Sequence, residues 1–137
     1  MNPSLPTLPP ARVLLAEDDP ALRDLWAEVL RGEGFDVVAA ADGGELVDLF
    51  WSQGPFDTLL LDEDMPRLRG RQALARLRSA GTRVPAVICS GRVEIDPEEC
   101  LRLGVRFVLR KPCTLACLVS TMRAALEDRP SGQPLAP

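Results

Sequence analysis

Lysine is almost absent from this chain: fifteen of its sixteen basic residues are arginine, and only Lys111 is not. A surface that manages without lysine leaves the single ammonium to be explained by chemistry, because a planar guanidinium does not copy a compact, mobile point charge. Long apolar runs are absent too. None approaches the roughly 20 residues that a helical membrane span needs, so no membrane partner is expected. The stretch Asn2-Pro3-Ser4-Leu5-Pro6-Thr7-Leu8-Pro9-Pro10 has neither the basic start nor the apolar core of a secretory leader. Residues 1–11 therefore read as a flexible Pro-rich arm on a cytoplasmic protein. Close cysteine pairs are lacking as well. Cys89, Cys100, Cys113 and Cys117 show no Cys-x-x-Cys spacing, which argues against a zinc site, and with no sign of secretion they are read as free thiols. Cys113 and Cys117 lie one helical turn apart and are expected to pack as small apolar residues.

What is present is the composition of one soluble domain. Apolar residues make up 46% and charged residues 26% of 137, enough for a sizeable core under an ordinary polar surface. The net charge of −4 is unevenly spread, with 14 acidic and 3 basic residues in 1–64 against 6 and 13 in 65–137. The cluster Arg67, Arg69, Arg71, Arg76, Arg78 and Arg83 contains no acid. It carries no recognition-helix signature and no interleaved aromatics, so it reads as a solvated helix face, and no nucleic-acid partner is expected.

Strands and helices alternate strictly. Residues 12–16 form a continuous apolar strand, and Asp19-Pro20 caps and starts a helix in which Leu22, Leu25, Trp26, Val29 and Leu30 follow the spacing of an inward stripe. Gly32 and Gly34 end it. A second strand over 35–39, a second helix over 44–52 with Leu46, Leu49 and Phe50 inward, and a third strand over 57–61 follow; Gly70 then opens the third helix. The fourth strand covers 84–89, and Asp96-Pro97-Glu98-Glu99 has the form of a capping box for a short fourth helix. The fifth strand covers 105–109. A last helix over about 114–126 carries Leu115, Leu118, Val119, Met122 and Leu126 on one stripe, and residues 128–137 return to tail or linker composition. Five βα units with mostly unalternated apolar strands predict a doubly wound α/β fold around a five-stranded parallel sheet.

Ligands of such sheets sit beyond the carboxyl ends of the strands, where the strand order switches. The loops after the first, third, fourth and fifth strands carry Glu17-Asp18, Asp62, Ser90 and Lys111. Taken singly, each has a plain structural reading: an aspartate caps a helix, Ser90-Gly91 makes a turn, and Lys111 is a solvated charge before Pro112. Together they are three carboxylates and one ammonium converging on one spot. Carboxylates that close stay ionised only beside a cation, and Mg²⁺, which takes oxygen ligands at about 2.0–2.1 Å, suits them.

The ordered motifs Glu17-Asp18, Asp62-Glu63-Asp64-Met65-Pro66, Ser90-Gly91 and Lys111-Pro112 resemble those of the receiver domain of bacterial response regulators. The resemblance covers residues 12–127 and implies a flavodoxin-like (βα)5 fold with strand order 2-1-3-4-5. It implies Mg²⁺ or Mn²⁺ bound by Asp18 directly, by Glu17 through water, by Asp62 and by the backbone carbonyl of Asp64. It makes Asp62 the acceptor of a phosphoryl group from a sensor histidine kinase or phosphotransfer protein. Ser90 would donate to a phosphoryl oxygen, and Lys111 would neutralise its charge. The implied role is that of a phosphoacceptor in signalling rather than a conventional enzyme, read by an effector or a second copy on the face of the fourth helix, fifth strand and fifth helix. No helix-turn-helix segment follows residue 127, so a DNA-binding output would need a second domain. A phosphohydrolase of the haloacid dehalogenase type also uses Asp-x-Asp with a lysine, but after its first strand and followed by x-Thr, where this chain has Met65-Pro66.

Two departures from the receiver pattern stand out. Arg69 precedes Gly70 where an acid is common, and Val108 stands three residues before the lysine where Tyr or Phe is usual. Phe107 points to the opposite side by strand alternation, so readout is expected to proceed without an aromatic switch. Arg106 and Arg110 are expected to flank Val108 on one side of an edge strand.

Overall fold

A computed structural model describes residues 9–91 and 95–127. The tail, residues 128–137, and all but the last residues of the Pro-rich arm lie outside that range. The elements are β1 (Arg12–Ala16), α1 (Pro20–Gly32), β2 (Asp36–Ala40), α2 (Gly43–Gln53), β3 (Thr58–Asp62), α3 (Gly70–Ser79), β4 (Ala86–Ser90), α4 (Pro97–Arg102), β5 (Val105–Arg110) and α5 (Leu115–Glu127). The strands pair in parallel in the order β2-β1-β3-β4-β5, as expected of a doubly wound, flavodoxin-like sheet.

Alternation along the three central strands divides the core in two. Val13, Leu15, Leu60, Val87 and Cys89 face α1 and α5, where they meet Trp26, Leu30, Leu118 and Met122. Leu14, Ala16, Leu59, Leu61, Ala86 and Ile88 face the other layer, with Leu46, Leu74 and Leu77 from α2 and α3. Helices on both faces explain why these strands read as unbroken apolar runs: neither side of the sheet meets water. Glu17, Asp62 and Lys111 continue the odd-even pattern of Leu15, Leu60 and Leu109 one step past the core, so the register that packs the α1/α5 layer also aims these three at one spot.

Caps fix where the helices start. The Asp19 carboxylate accepts from the Ala21 amide at 3.0 Å with Pro20 at the first helical position. Asp42 accepts from the Glu45 amide at 2.8 Å, which starts α2 one residue earlier than the apolar pattern alone indicates. At α4, Asp96 accepts from the Glu98 amide at 3.0 Å, but the capping box is only half formed because the Glu99 side chain turns away to Arg71.

Several expectations are corrected. Leu25 and Leu115 are 43% and 38% exposed, at the outer edges of their stripes, Leu115 in the groove between α1 and α5. Cys117 is exposed instead of packed, while Cys113 lies against the core. The arginine cluster is not uniformly solvated: Arg71 pairs with two glutamates, and Arg78 donates to the Leu103 and Val84 carbonyls. Burial, with no counter-ion among the described residues, lowers the Arg78 pKa to about 10. In β5 the ladder runs Ala86↔Val105 and then Val87↔Phe107, with a register shift that skips Arg106. Arg106 therefore leaves the alternation it was expected to share with Val108 and Arg110.

Gly70 is required by contact: a Cβ there would lie 2.6 Å from the Asp62 carbonyl oxygen, so α3 can start against the end of β3 only without a side chain. Gly32 is the converse, with nothing within 4 Å of a built Cβ. Gly70→Ala should therefore destabilise the fold by about 1–3 kcal/mol, whereas Gly32→Ala should stabilise it by about 0.5–1 kcal/mol. Urea denaturation of both variants checks the pair; equal effects would contradict the contact argument.

Candidate functional site

The sheet register assembles the site. Ala16 pairs with Leu61, so Glu17 and Asp62 emerge side by side from β1 and β3. Asp62 pairs with Cys89 and Ser90 with Arg110, which places Ser90 and Lys111 next along the same edge; the Lys111 amide donates to the Ser90 carbonyl at 3.0 Å. Each is at a strand end because the apolar run before it is what the core consumes.

Carboxylate oxygens of Glu17, Asp18 and Asp62 lie within 4.8 Å of one another. Glu17 and Asp62 are buried, while Asp18 is exposed at the mouth. The Lys111 ammonium lies 2.8 Å from Glu17 Oε1 and 3.2 Å from Asp62 Oδ1, and 5.8 Å above the Trp26 ring. Asp62 Oδ1 also accepts from the Asp64 amide at 3.0 Å. Asp62 Oδ2 is buried with no hydrogen-bond partner among the described residues. Leaving a carboxylate oxygen dry and unpaired is costly, and a hard divalent cation coordinated by these oxygens removes that cost. An all-oxygen donor set of this kind fits Mg²⁺.

Burial pushes the Glu17 carboxyl from 4.5 up to about 7; the hydrogen bonds from Lys111 and the Asp19 amide oppose the rise, and Asp62 adds to it. For Lys111, burial alone would lower the pKa, but the hydrogen bond to Glu17 and the charges of Asp62 and Glu17 outweigh it and raise the value. The cluster thus holds one firmly protonated amine among acids that resist sharing a dry site.

The loop after β3 is shaped by features that sequence reasoning missed. The Leu68 amide bonds to the Pro66 carbonyl at 2.8 Å across Arg67, whose φ is 66°. This tight γ-turn holds a non-glycine residue in the left-handed region. The Asp64 side chain accepts from the Gly91 amide at 2.9 Å, tying the loop after β3 to the loop after β4. Asp64 also lines the mouth of the site with Asp18, Met65, Pro66 and Arg69. Glu63, next to Asp62 and only 3% exposed, accepts from the Arg71 amide at 2.9 Å. It supplies from outside the acceptor that Arg69, at the N-cap of α3, has no chemistry to provide. Only the Arg69 residue before Gly70, a poor cap, hinted that an acceptor had to come from elsewhere.

A doubly wound sheet with an acidic cluster and an ammonium beyond its strand ends defines an α/β domain whose charged site lies where such sheets bind ligands. A profile of the response regulator receiver domain matches residues 13–123. Response regulator MprA of Mycolicibacterium vanbaalenii is 36% identical over 118 residues, 85% of this chain and 51% of that protein. Transcriptional regulatory protein TrcR of Mycobacterium tuberculosis is 35% identical over 132 residues, 92% and 51% respectively. Among solved structures, the receiver domain of Francisella response regulator 1452 superposes with a TM-score of 0.78 at 26% identity, covering 85% of this chain and 97% of that one. The chain belongs to the response regulator receiver family of two-component systems, and it spans about half the length of these curated relatives.

The raised Glu17 pKa has a testable sign. A carboxyl that titrates at about 7 when folded and 4.5 when unfolded binds its proton more tightly in the folded state. Its stabilisation is whole below 4.5 and is lost as pH rises through about 7. Metal-free protein should therefore lose up to on the order of 2–3 kcal/mol across that window, Glu17→Gln should flatten the loss, and Mg²⁺ should restore stability above it. Urea midpoints with EDTA and with Mg²⁺ at several pH values measure all three; a pH profile identical in Glu17→Gln would assign the effect elsewhere.

Proposed function

We propose that this receiver accepts a phosphoryl group on Asp62 from a phosphohistidine of a sensor kinase or phosphotransfer protein, and that the acyl phosphate switches a partner-binding or self-associating face. One observation carries the reading: Asp62 sits between Glu17, Asp18 and the Lys111 ammonium with one carboxylate oxygen left unpaired. These 137 residues contain no histidine, so the donor imidazole comes from outside them.

In the proposed step, an Asp62 carboxylate oxygen forms a bond to phosphorus as the P–N bond of the donor breaks, and the electron pair leaves with the imidazole nitrogen. Acetyl phosphate would react likewise, its P–O bond breaking and acetate leaving. Asp18 and Asp62, Glu17 through water, and the Asp64 carbonyl would hold Mg²⁺ or Mn²⁺, which neutralises phosphoryl charge when bound. Lys111, already ionised and anchored to Glu17 and Asp62, would move to the new phosphoryl oxygens, a short excursion for a flexible stem. The Ser90 hydroxyl and the Gly91 amide would donate to the same oxygens. Gly91 at present donates to Asp64, so phosphorylation would exchange one acceptor for another and move the loop after β4. The readout face would be that of α4, β5 and α5, where Val108 is 44% exposed and supplies no ring.

Incubation with Mg²⁺ and acetyl phosphate should add one phosphoryl mass to the intact protein. Chelation of the metal and Asp62→Asn should each abolish the addition; a label that persists in Asp62→Asn would refute the assignment. Lys111→Arg should bind Mg²⁺ nearly normally, because charge is retained, yet label at least about tenfold more slowly because the guanidinium cannot occupy the same point. Normal labelling of that variant would make Lys111 a structural cation.

A further inference from the structure

Arg71, at the start of α3, touches two acids that belong to different parts of the fold. Its backbone amide donates to Glu63 Oε1 at 2.9 Å and its Nε lies 3.1 Å from Glu63 Oε2, which ties it to the residue between Asp62 and Asp64. Its other arm donates from Nη1 to Glu99 Oε2 of α4 at 2.7 Å. The two ends differ in burial: the Glu63 side chain is 3% exposed and that of Glu99 34%. The inner contact, held by the amide hydrogen bond and by an ion pair out of hydrogen-bond alignment, is the less hydrated one, and the outer contact is the one that can open. A second arginine of α3 holds the far end of α4, since Arg78 Nε donates to the Leu103 carbonyl at 2.7 Å. With that end anchored to backbone, the Glu99 contact is the adjustable one.

Resting on the reading that Asp62 is phosphorylated, we propose that Arg71 is a positioning residue that couples the phosphoryl site to α4. Glu63 cannot shift independently of Asp62 and Asp64, its chain neighbours, so any displacement of the loop when cation and phosphoryl bind is passed to the Arg71 guanidinium. Glu63 also caps α3 by accepting the Arg71 amide, which holds the Arg71 backbone and converts loop motion into reorientation of the side chain. Reorientation lengthens or breaks the bond to Glu99 and releases or turns α4. The arrangement provides a route to α4 that needs no ring at position 108, and it is made of charge where an aromatic receiver would use packing. Because coupling is reciprocal, a partner that fixes α4 should also change how firmly the site holds its cation.

The test is hydrogen–deuterium exchange of the full chain with and without Mg²⁺ plus beryllofluoride, a phosphoryl mimic. In the wild type, beryllofluoride should change exchange both in the loop after β3 and in α4, the latter by about fivefold. Glu99→Gln keeps size and removes charge at an exposed end. It should lose most of the α4 response while the response of the loop and the half-saturating Mg²⁺ concentration stay within about twofold of wild type. Arg71→Lys should behave likewise, because one ammonium replaces Glu63 contact but cannot span both acids. An α4 response in Glu99→Gln equal to wild type, with the loop still responding, overturns the coupling alone. No response at the loop in the wild type overturns the phosphoacceptor reading, and the coupling with it.

Discussion

Bringing carboxylate oxygens of three acids within 4.8 Å in a site where two of the acids are buried is an electrostatic demand that the remaining structure has to meet. Two like charges about 4 Å apart repel by roughly 1 kcal/mol in water and by several times that near a protein surface. The fold cannot relax this by spreading the acids, because adjacent parallel strands β1 and β3 in fixed register deliver Glu17 and Asp62 to neighbouring points. It answers with an ammonium held between them from β5. The balance is incomplete, and that incompleteness is what makes the site receptive to a further cation.

Much of the surrounding loop structure keeps that spot in place. Gly70 lets α3 begin against the Asp62 carbonyl, the turn at Arg67 folds the chain back on itself, and Glu63 caps α3 from within the same loop. The side chain of Asp64 reaches across to Gly91. A carboxylate at the last residue of a strand thus has its backbone bound by the sheet on one side and by a helix start on the other, which holds it near a fixed geometry without immobilising the loops that lead away from it.

The fold was legible because its signals are local. Unalternated apolar runs mark the central strands, Asp19-Pro20 marks the start of α1, and periodicity marks α5, so order and layering follow from pattern. The residues at strand ends were legible because a doubly wound sheet dictates where they meet. What escaped was long-range. Arg71 and Glu99 are 28 residues apart, and nothing in either helix's own sequence states where α4 will lie relative to α3. The same ignorance turned a row of arginines into a solvated face, although two of them serve buried or carbonyl acceptors. Leu25 and Leu115 lie on apolar stripes yet are exposed, because periodicity gives the direction of a stripe but not its width. The skipped register at Arg106 is a feature of two strands together and leaves no trace in one.

The scarcity of lysine has a practical side. In this chain the only ε-amine is that of Lys111, three-quarters covered and pinned between two carboxylates. Amine-selective reagents, which elsewhere label a protein's whole surface, have a single side-chain target here, and its pKa is raised, so the unprotonated form that attacks an acylating agent is scarce. Whatever changes the company Lys111 keeps, a cation displacing it or a phosphoryl group capturing it, changes that reactivity directly. The composition has made an ordinary bioconjugation reaction into a gauge of one site's occupancy.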